Sequence, residues 1–225
     1  MKKEENVSKL FMTLAIIYIT CLLLSNLIAG KMWGIATNIT LPAAVILFPI
    51  TYILGDIFTE VYGFQKTRFI IWLGFCCSFF AVIIYMITIA LPYPDFWGNQ
   101  SAYSTVLGTT PRVAIASFVG YLFGEFSNSM ILSKLKVLSN GKRLWLRTML
   151  STVVGEGFDS IIFITISFAG TVKTSVLLTM ILCQYIFKVC YEFIFTPLIY
   201  KIVEYLKKKE EIDVFDYDEK YHIFK

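Results

Sequence analysis

Apolar residues run in six membrane-length blocks, at about 10–30, 37–61, 69–91, 113–132, 148–170 and 175–200, with short polar connections between them. A helix that crosses a bilayer core needs about 20 predominantly apolar residues. Each block therefore predicts a spanning helix, and together they predict an all-α, six-helix transmembrane bundle. Three prolines, Pro42, Pro49 and Pro197, interrupt the second block or fall near the end of the sixth. The blocks account for most of the 225 residues, so 1–225 reads as a single integral membrane domain with a charged tail at 207–225. The polar N-terminus leads into a run too long for a signal-peptide core and without a small-residue cleavage site, so the first helix is expected to be retained.

The polar positions inside the blocks follow helical spacing. Asn26 lies in the first block, Asp56 and Glu60 in the second, and Arg112, Glu125 and Asn128 at or in the fourth. Glu156 and Asp159 belong to the fifth, and Gln184, Lys188 and Glu192 to the sixth. Separations of three and four residues put each set on one helical face. Ionisable side chains at membrane depth are costly and normally face a cavity or a partner. Four such stripes predict a hydrophilic pocket within an apolar shell, lined by Asn26, Asp56, Arg112, Glu125, Asn128, Glu156, Asp159, Gln184 and Lys188. Lys188 is expected to pair with one of the acids, as an ion-pair member or as a ligand contact. Glu60 and Glu192 read as helix-end residues near the inner surface. Close carboxylates raise one another's pKa, which suits proton coupling or hydrogen-bond donation to a ligand.

Charge gives an orientation. Sixteen of the basic residues fall on one side of the spans, in 1–9, 66–68, 134–147 and 201–225, whereas Lys31 and Lys173 alone fall on the other. This positive-inside pattern predicts cytoplasmic N and C termini. The net charge of +4 is explained by topology and is no nucleic-acid signal. The outer connection 92–111 is rich in aromatics (Tyr93, Phe96, Trp97, Tyr103) and reads as an interfacial belt, or as a lid over the pocket. The acidic and basic tail beyond Lys209 reads as a solvated end.

Other chemistry is thin. Cys21, Cys76, Cys77, Cys183 and Cys190 all lie in apolar runs and read as buried thiols. The one histidine, His222, stands in the tail, so no metal-ligand spacing exists and no cofactor is implied. No HExxH, GxSxG or Walker-type loop is present. An enzyme is not expected, and any ATP coupling must come from a partner. Gly120-x-x-x-Gly124 and Ser25-x-x-x-Ala29 permit close helix approach, chiefly within the chain.

The stretch Phe48-Pro49-x-Thr51-Tyr52-x-x-x-Asp56-x-x-Thr59-Glu60-Val61-Tyr62-Gly63 resembles the signature of the queuosine-precursor transporter family, small bacterial integral membrane proteins of the VUT type. Further pieces follow in order: Ser25-Asn26, Arg112-x-x-x-Ala116-Ser117, Trp145-x-Arg147, Ser151-Thr152-x-x-Gly155-Glu156-x-x-Asp159-Ser160, Lys188 and Thr196-Pro197-x-x-Tyr200. Where many members carry Gly-Gln and then Asp, this chain has Gly124-Glu125 and Asn128, which moves a carboxylate within the pocket and bears on its ligand preference.

The resemblance implies a bacterial plasma-membrane importer of 7-deazaguanines: queuine, preQ1 or preQ0. It also implies a fold similar to the substrate-binding subunits of energy-coupling-factor vitamin transporters. The expected partners are the substrate, the lipid bilayer and either an energy-coupling module or a second copy in a homodimer. The alternative is a capture subunit for another vitamin, working with a separate ATPase module. A carboxylate can accept from the ring N–H and exocyclic amine of a guanine-like base, amides can serve its carbonyl edge, and aromatics can stack on the ring. The amines of preQ1 and queuine suit a second acid better than the neutral nitrile of preQ0 does.

Overall fold

The computed structural model describes residues 8–36, 39–108, 110–217 and 221. The chain is all-α, as expected, with six packed helices answering to the six apolar blocks. These are α1 (Lys9–Ile28), α2 (Phe48–Tyr62), α3 (Phe64–Ala90), α5 (Thr110–Leu138), α6 (Leu144–Phe168) and α7 (Thr174–Glu210). A short helix, α4 (Gln100–Gly108), precedes α5. The strands β1 (Met32–Ala36) and β2 (Ile39–Pro42) form an antiparallel hairpin between α1 and α2. Five segments are long and apolar enough to cross a membrane: α1, α3, α4 together with α5, α6 and α7.

The second block departs from expectation. Its apolar pattern predicts one span over 37–61, but Thr37 and Asn38 lie outside the described residues. Beyond them the chain forms β2, then a 3-10 turn (Ala43–Ile46), and becomes α-helical only at Phe48. The prolines explain the break. Pro42 lacks the N–H a helix needs and disfavours helix before it, and Pro49 is tolerated because it occupies the first turn of α2. Fifteen residues give about 22 Å of helix, short of the ~30 Å hydrocarbon core.

That short helix is the centre of the molecule. All its residues except Ile50 are buried, enclosed by α1, α3, α5 and α7. Around it, α1 and α3 turn apolar side chains outward, among them Ile16, Leu24, Phe79, Phe80 and Ile87, as lipid-facing helices do. The cysteines differ from expectation: Cys76 and Cys190 are exposed on outer helix faces and the other three are half-buried.

The tightest helix pair is α5 with α6. Its seam is built on glycine. A Cβ at Gly124 would meet the Gly155 carbonyl and the Asp159 side chain, and one at Gly155 would meet Asn128 Cβ and the Gly124 carbonyl. The Gly120-x-x-x-Gly124 motif is therefore used within the chain, as small-residue seams commonly are.

The start of α1 and the end of α7 meet. The Ser8 hydroxyl accepts from the Phe11 N–H to cap α1 and contacts the Glu210 carboxylate at the end of α7. The tail that follows, expected to be solvated, is docked over its described residues. The Val214 N–H donates to the Val61 carbonyl at 3.3 Å, and Asp216 accepts from the Phe64 N–H at 3.0 Å and the Ser133 hydroxyl at 2.5 Å. Gly63, at φ +85°, makes the α2–α3 turn and leaves room for Val214 and Asp216. Asp218, Glu219, Lys220, His222 and Lys225 lie outside the described residues.

The aromatic connection 92–111 packs against its own hairpin of helices rather than over the bundle. Tyr103 donates to Thr88 at 2.9 Å and Gln100 to the Ile89 carbonyl at 3.1 Å, fastening α4 to the end of α3. Phe96 is almost fully exposed.

Candidate functional site

Polar residues that sequence spacing placed on single helix faces meet in one buried cluster. Asp56 (α2), Glu125 and Asn128 (α5), Glu156 and Asp159 (α6), and Gln184, Lys188 and Glu192 (α7) are all at most 3% exposed. The i,i+4 stripe of α7 continues through Thr196 and explains the alignment, because α7 turns that face, and no other, toward α2 and α6.

Within the cluster the charges do not balance. Lys188 Nζ donates to Glu156 Oε2 at 2.7 Å and also to Asp159 Oδ2, and its ammonium lies 5.2 Å from the ring centroids of both Phe48 and Tyr52. One lysine thus serves two acids, where pairing with one was expected. Asp56 Oδ1 accepts from the Asn128 amide at 2.6 Å. Glu125 Oε1 receives a long 3.4 Å bond from Ser129. Among the described residues, Asp56 Oδ2, Glu125 Oε2, Asn128 Oδ1, Asp159 Oδ1, Glu192 Oε1 and the Tyr52 hydroxyl are buried with no hydrogen-bond partner. Buried polar atoms are ordinarily satisfied, so a concentration of acceptors is the mark of a place that receives donors.

Glycine makes this room too. A Cβ at Gly55 would collide with the Glu125 carboxylate, so the carboxylate of α5 lies directly on the backbone of α2. Aromatic rings close the other walls: Tyr52 meets Tyr121 edge to face at 5.4 Å, and the Tyr121 and Tyr18 hydroxyls are 2.6 Å apart. A cavity of about 10 Å³ lies beside Lys188 and Asp159, between Gln184, Phe48 and the Pro42–Val45 turn. That is room for about one water. The hairpin and its 3-10 turn, rather than the aromatic connection, therefore cover this end of the cluster.

A second cluster lies one turn along α2. Glu60 accepts from Arg147 Nη1 at 2.7 Å, Arg147 Nη2 at 3.3 Å and Lys207 at 2.7 Å. Lys136 donates to the Glu60 carbonyl at 2.6 Å, the Val214 carbonyl at 2.6 Å and Asp213 Oδ1 at 2.5 Å. Outside the helices, burial works to raise the Asp213 carboxyl, but hydrogen bonds from Lys136 and Lys207 outweigh it and hold the group below its ordinary value of 3.8.

Two expected site residues stand apart. Arg112 is exposed and donates to the Ile166 and Ala169 carbonyls, capping α6. Asn26 is half-buried and donates to Ser78 at 3.3 Å, between α1 and α3. Other residues belong to the cluster without having been expected there. Glu192, read as an inner-interface residue, lies half-way along a helix that ends ten residues past its apolar block. Tyr52 and Tyr121 carry no charge and so left no spacing signal.

Residues 42–202 match the family described as "Putative vitamin uptake transporter". The chain belongs to this family. A "Probable queuosine precursor transporter" of Bacillus subtilis (strain 168) is 29% identical over 206 residues, covering 83% of this chain and 90% of the relative. The "Queuosine precursor transporter" of Escherichia coli (strain K12) is 26% identical over 121 residues, covering 54% of this chain and 52% of the relative. A relative from Haemophilus influenzae, also named "Probable queuosine precursor transporter", is 29% identical over 122 residues, 54% of this chain and 49% of its own. No solved structure matches. The resemblance read from the Phe48–Gly63 signature is thus supported along most of the chain. The protein is a multi-pass membrane protein of a transporter family with bacterial relatives, in keeping with the expectation of a transporter rather than an enzyme.

Proposed function

We propose that this protein imports a 7-deazaguanine precursor of queuosine, or queuine itself, across the bacterial plasma membrane, with both termini cytoplasmic. The observation that carries the reading is the charge imbalance of the buried cluster. Five carboxylates share one lysine, and four of them, Asp56, Glu125, Asp159 and Glu192, keep a buried oxygen with no hydrogen-bond partner. Such acceptors suit the ring N–H and exocyclic amine of a guanine-like base, with Tyr52 or Phe48 against its flat face. The surplus of acid favours the cationic amines of preQ1 and queuine over the nitrile of preQ0. Asp56, Glu125, Asn128, Glu156, Asp159, Gln184 and Lys188 form the pocket in this reading. Arg112 and Asn26 serve at its periphery, bracing the bundle.

The family description favours a second reading, a capture subunit for a different vitamin that hands its ligand to an energy-coupling module. One experiment separates the two. The protein is expressed in host cells that lack queuosine synthesis, their own transporter and any coupling module, but keep the salvage enzymes. Queuosine in tRNA after feeding preQ1 or queuine is the expected result. Its absence, with membrane insertion confirmed, would overturn self-sufficient import of these compounds.

A further inference from the structure

We infer that Lys188 is a tethered occupant of an alkylammonium site: the protonated amine of an incoming substrate displaces its ammonium, and the lysine swings one helical turn to Glu192. This rests on the transport reading above and singles out amines as the preferred substrates. The lysine ammonium sits in a cage. It donates to Glu156 Oε2 at 2.7 Å and to Asp159 Oδ2, and the rings of Phe48 and Tyr52 are both centred 5.2 Å from it. Two carboxylates and two aromatic rings would hold any alkylammonium group, because they recognise the charge and not the chain that carries it. The cage also has acceptors to spare, since Asp159 Oδ1 is buried without a hydrogen-bond partner.

Space points the same way. The cavity bordered by Lys188, Asp159, Gln184 and Phe48 is about 10 Å³, room for about one water. A bicyclic base with an amine arm fits there only after a side chain leaves. Lys188 has somewhere to go. Glu192 lies four residues further along α7, so the two side chains are neighbours on one helical face. Glu192 is 1% exposed, and its Oε1 has no hydrogen-bond partner. The move needs rotation about side-chain bonds and no shift of the helix. Arg147 and Lys207 do not compete for Glu192, because both hold Glu60. Before the exchange five buried carboxylates share one cation, and after it they share two. A cationic substrate therefore eases the imbalance that it meets. A nitrile carries no charge with which to replace the lysine, so Lys188 is a filter as well as a placeholder. When the amine departs, the lysine returns and refills the cage.

The test measures binding of preQ1, queuine and preQ0 to the purified full chain in detergent. The quantity read is the ratio of the preQ0 Kd to the preQ1 Kd, in which general damage to the pocket cancels. Lys188→Met empties the cage, and the ratio should rise about tenfold, because a self-occupied site weakens apparent affinity by the fraction of time it is free. A lysine that contacts the substrate directly, or only braces the helices, would leave the ratio unmoved or lower it. Glu192→Gln removes the receiving carboxylate and should lower the ratio about tenfold. Combined with Lys188→Met it should have no such effect, because no lysine is left to receive. A ratio that does not rise in Lys188→Met, or an equal loss from Glu192→Gln in both backgrounds, would overturn the exchange while leaving the transport reading standing. Should Lys188→Met fail to fold with its acids unpaired, Glu192→Gln decides alone: a lowered ratio supports the exchange and an unchanged one overturns it. Failure of the wild type to bind any of the three compounds would overturn the transport reading, and the exchange with it.

Discussion

Asp56 and Glu60 stand one turn apart on the same buried helix, and their surroundings are opposite. Glu60 is held by a guanidinium and an ammonium, with a second ammonium on its carbonyl. Asp56 meets one amide on Oδ1, and its Oδ2 has no hydrogen-bond partner. A buried charge with a full set of partners braces a fold, whereas one with open valences marks a place for something else to bind. The pair separates structure from function within about 6 Å of helix rise.

The largest expected effect tests the open side. Glu156→Gln should cut uptake about a hundredfold or more, as expected when about 3 kcal/mol of buried charged contact is lost. Fluorescence of a reporter fusion should show unchanged amounts in the membrane. Uptake within threefold of wild type would remove Glu156 from the pocket. The closed side should respond in the other currency. Arg147→Ala leaves Glu60 buried with half its partners and should destabilise the fold by about 3–5 kcal/mol, read as a fall in thermal stability in detergent. Uptake per folded molecule should stay near wild type. Gly124→Ala comes next: its methyl meets the α6 backbone, and overpacking of this kind costs about 1–3 kcal/mol. Widening of the α5–α6 seam should lower both thermal stability and uptake, which blurs the distinction the other two variants draw.

The smallest effect belongs to Asp213→Asn. Because the folded carboxyl is held below its ordinary value, its contribution is fully present above about 3.8 and fades only as pH falls through the lower folded value. Stability of the wild type should therefore not depend on Asp213 titration near neutral pH. Asn at this position should show a slight loss there, read as faster proteolysis of the tail. Any gain in neutral pH dependence from this substitution would contradict the arrangement.

Much of this was legible in the sequence because the bilayer makes charge expensive. Stripes at three- and four-residue spacing had to converge, and seven of the nine expected residues did. Arg112 and Asn26 did not, since a polar residue near a helix end has carbonyls and hydroxyls of neighbouring helices to satisfy it. The closed cluster was hidden for a related reason. Lys136 and Arg147 were counted as loop charges, but α5 and α6 extend past their apolar blocks, and a long basic side chain can turn inward as readily as outward. Charge ends a membrane span without ending a helix, because Lys and Glu are good helix formers. That is why α7 continues to Glu210 and Glu192 falls at its middle. The 3-10 turn and hairpin followed from Pro42 and Pro49, whose presence was visible but whose consequence depended on packing.

The latch around Glu60 has a further implication for how the protein is made. Its partners Arg147 and Lys207 lie 87 and 147 residues later in the chain. At translation rates of 5–20 residues per second, roughly 7–30 s separate the synthesis of Glu60 from that of its last cation. Through that interval α2, with two acids and no basic residue, has no counter-charge of its own. Either it waits at the membrane surface or it is sheltered by the insertion machinery, and the bundle closes around it only when the final helix arrives.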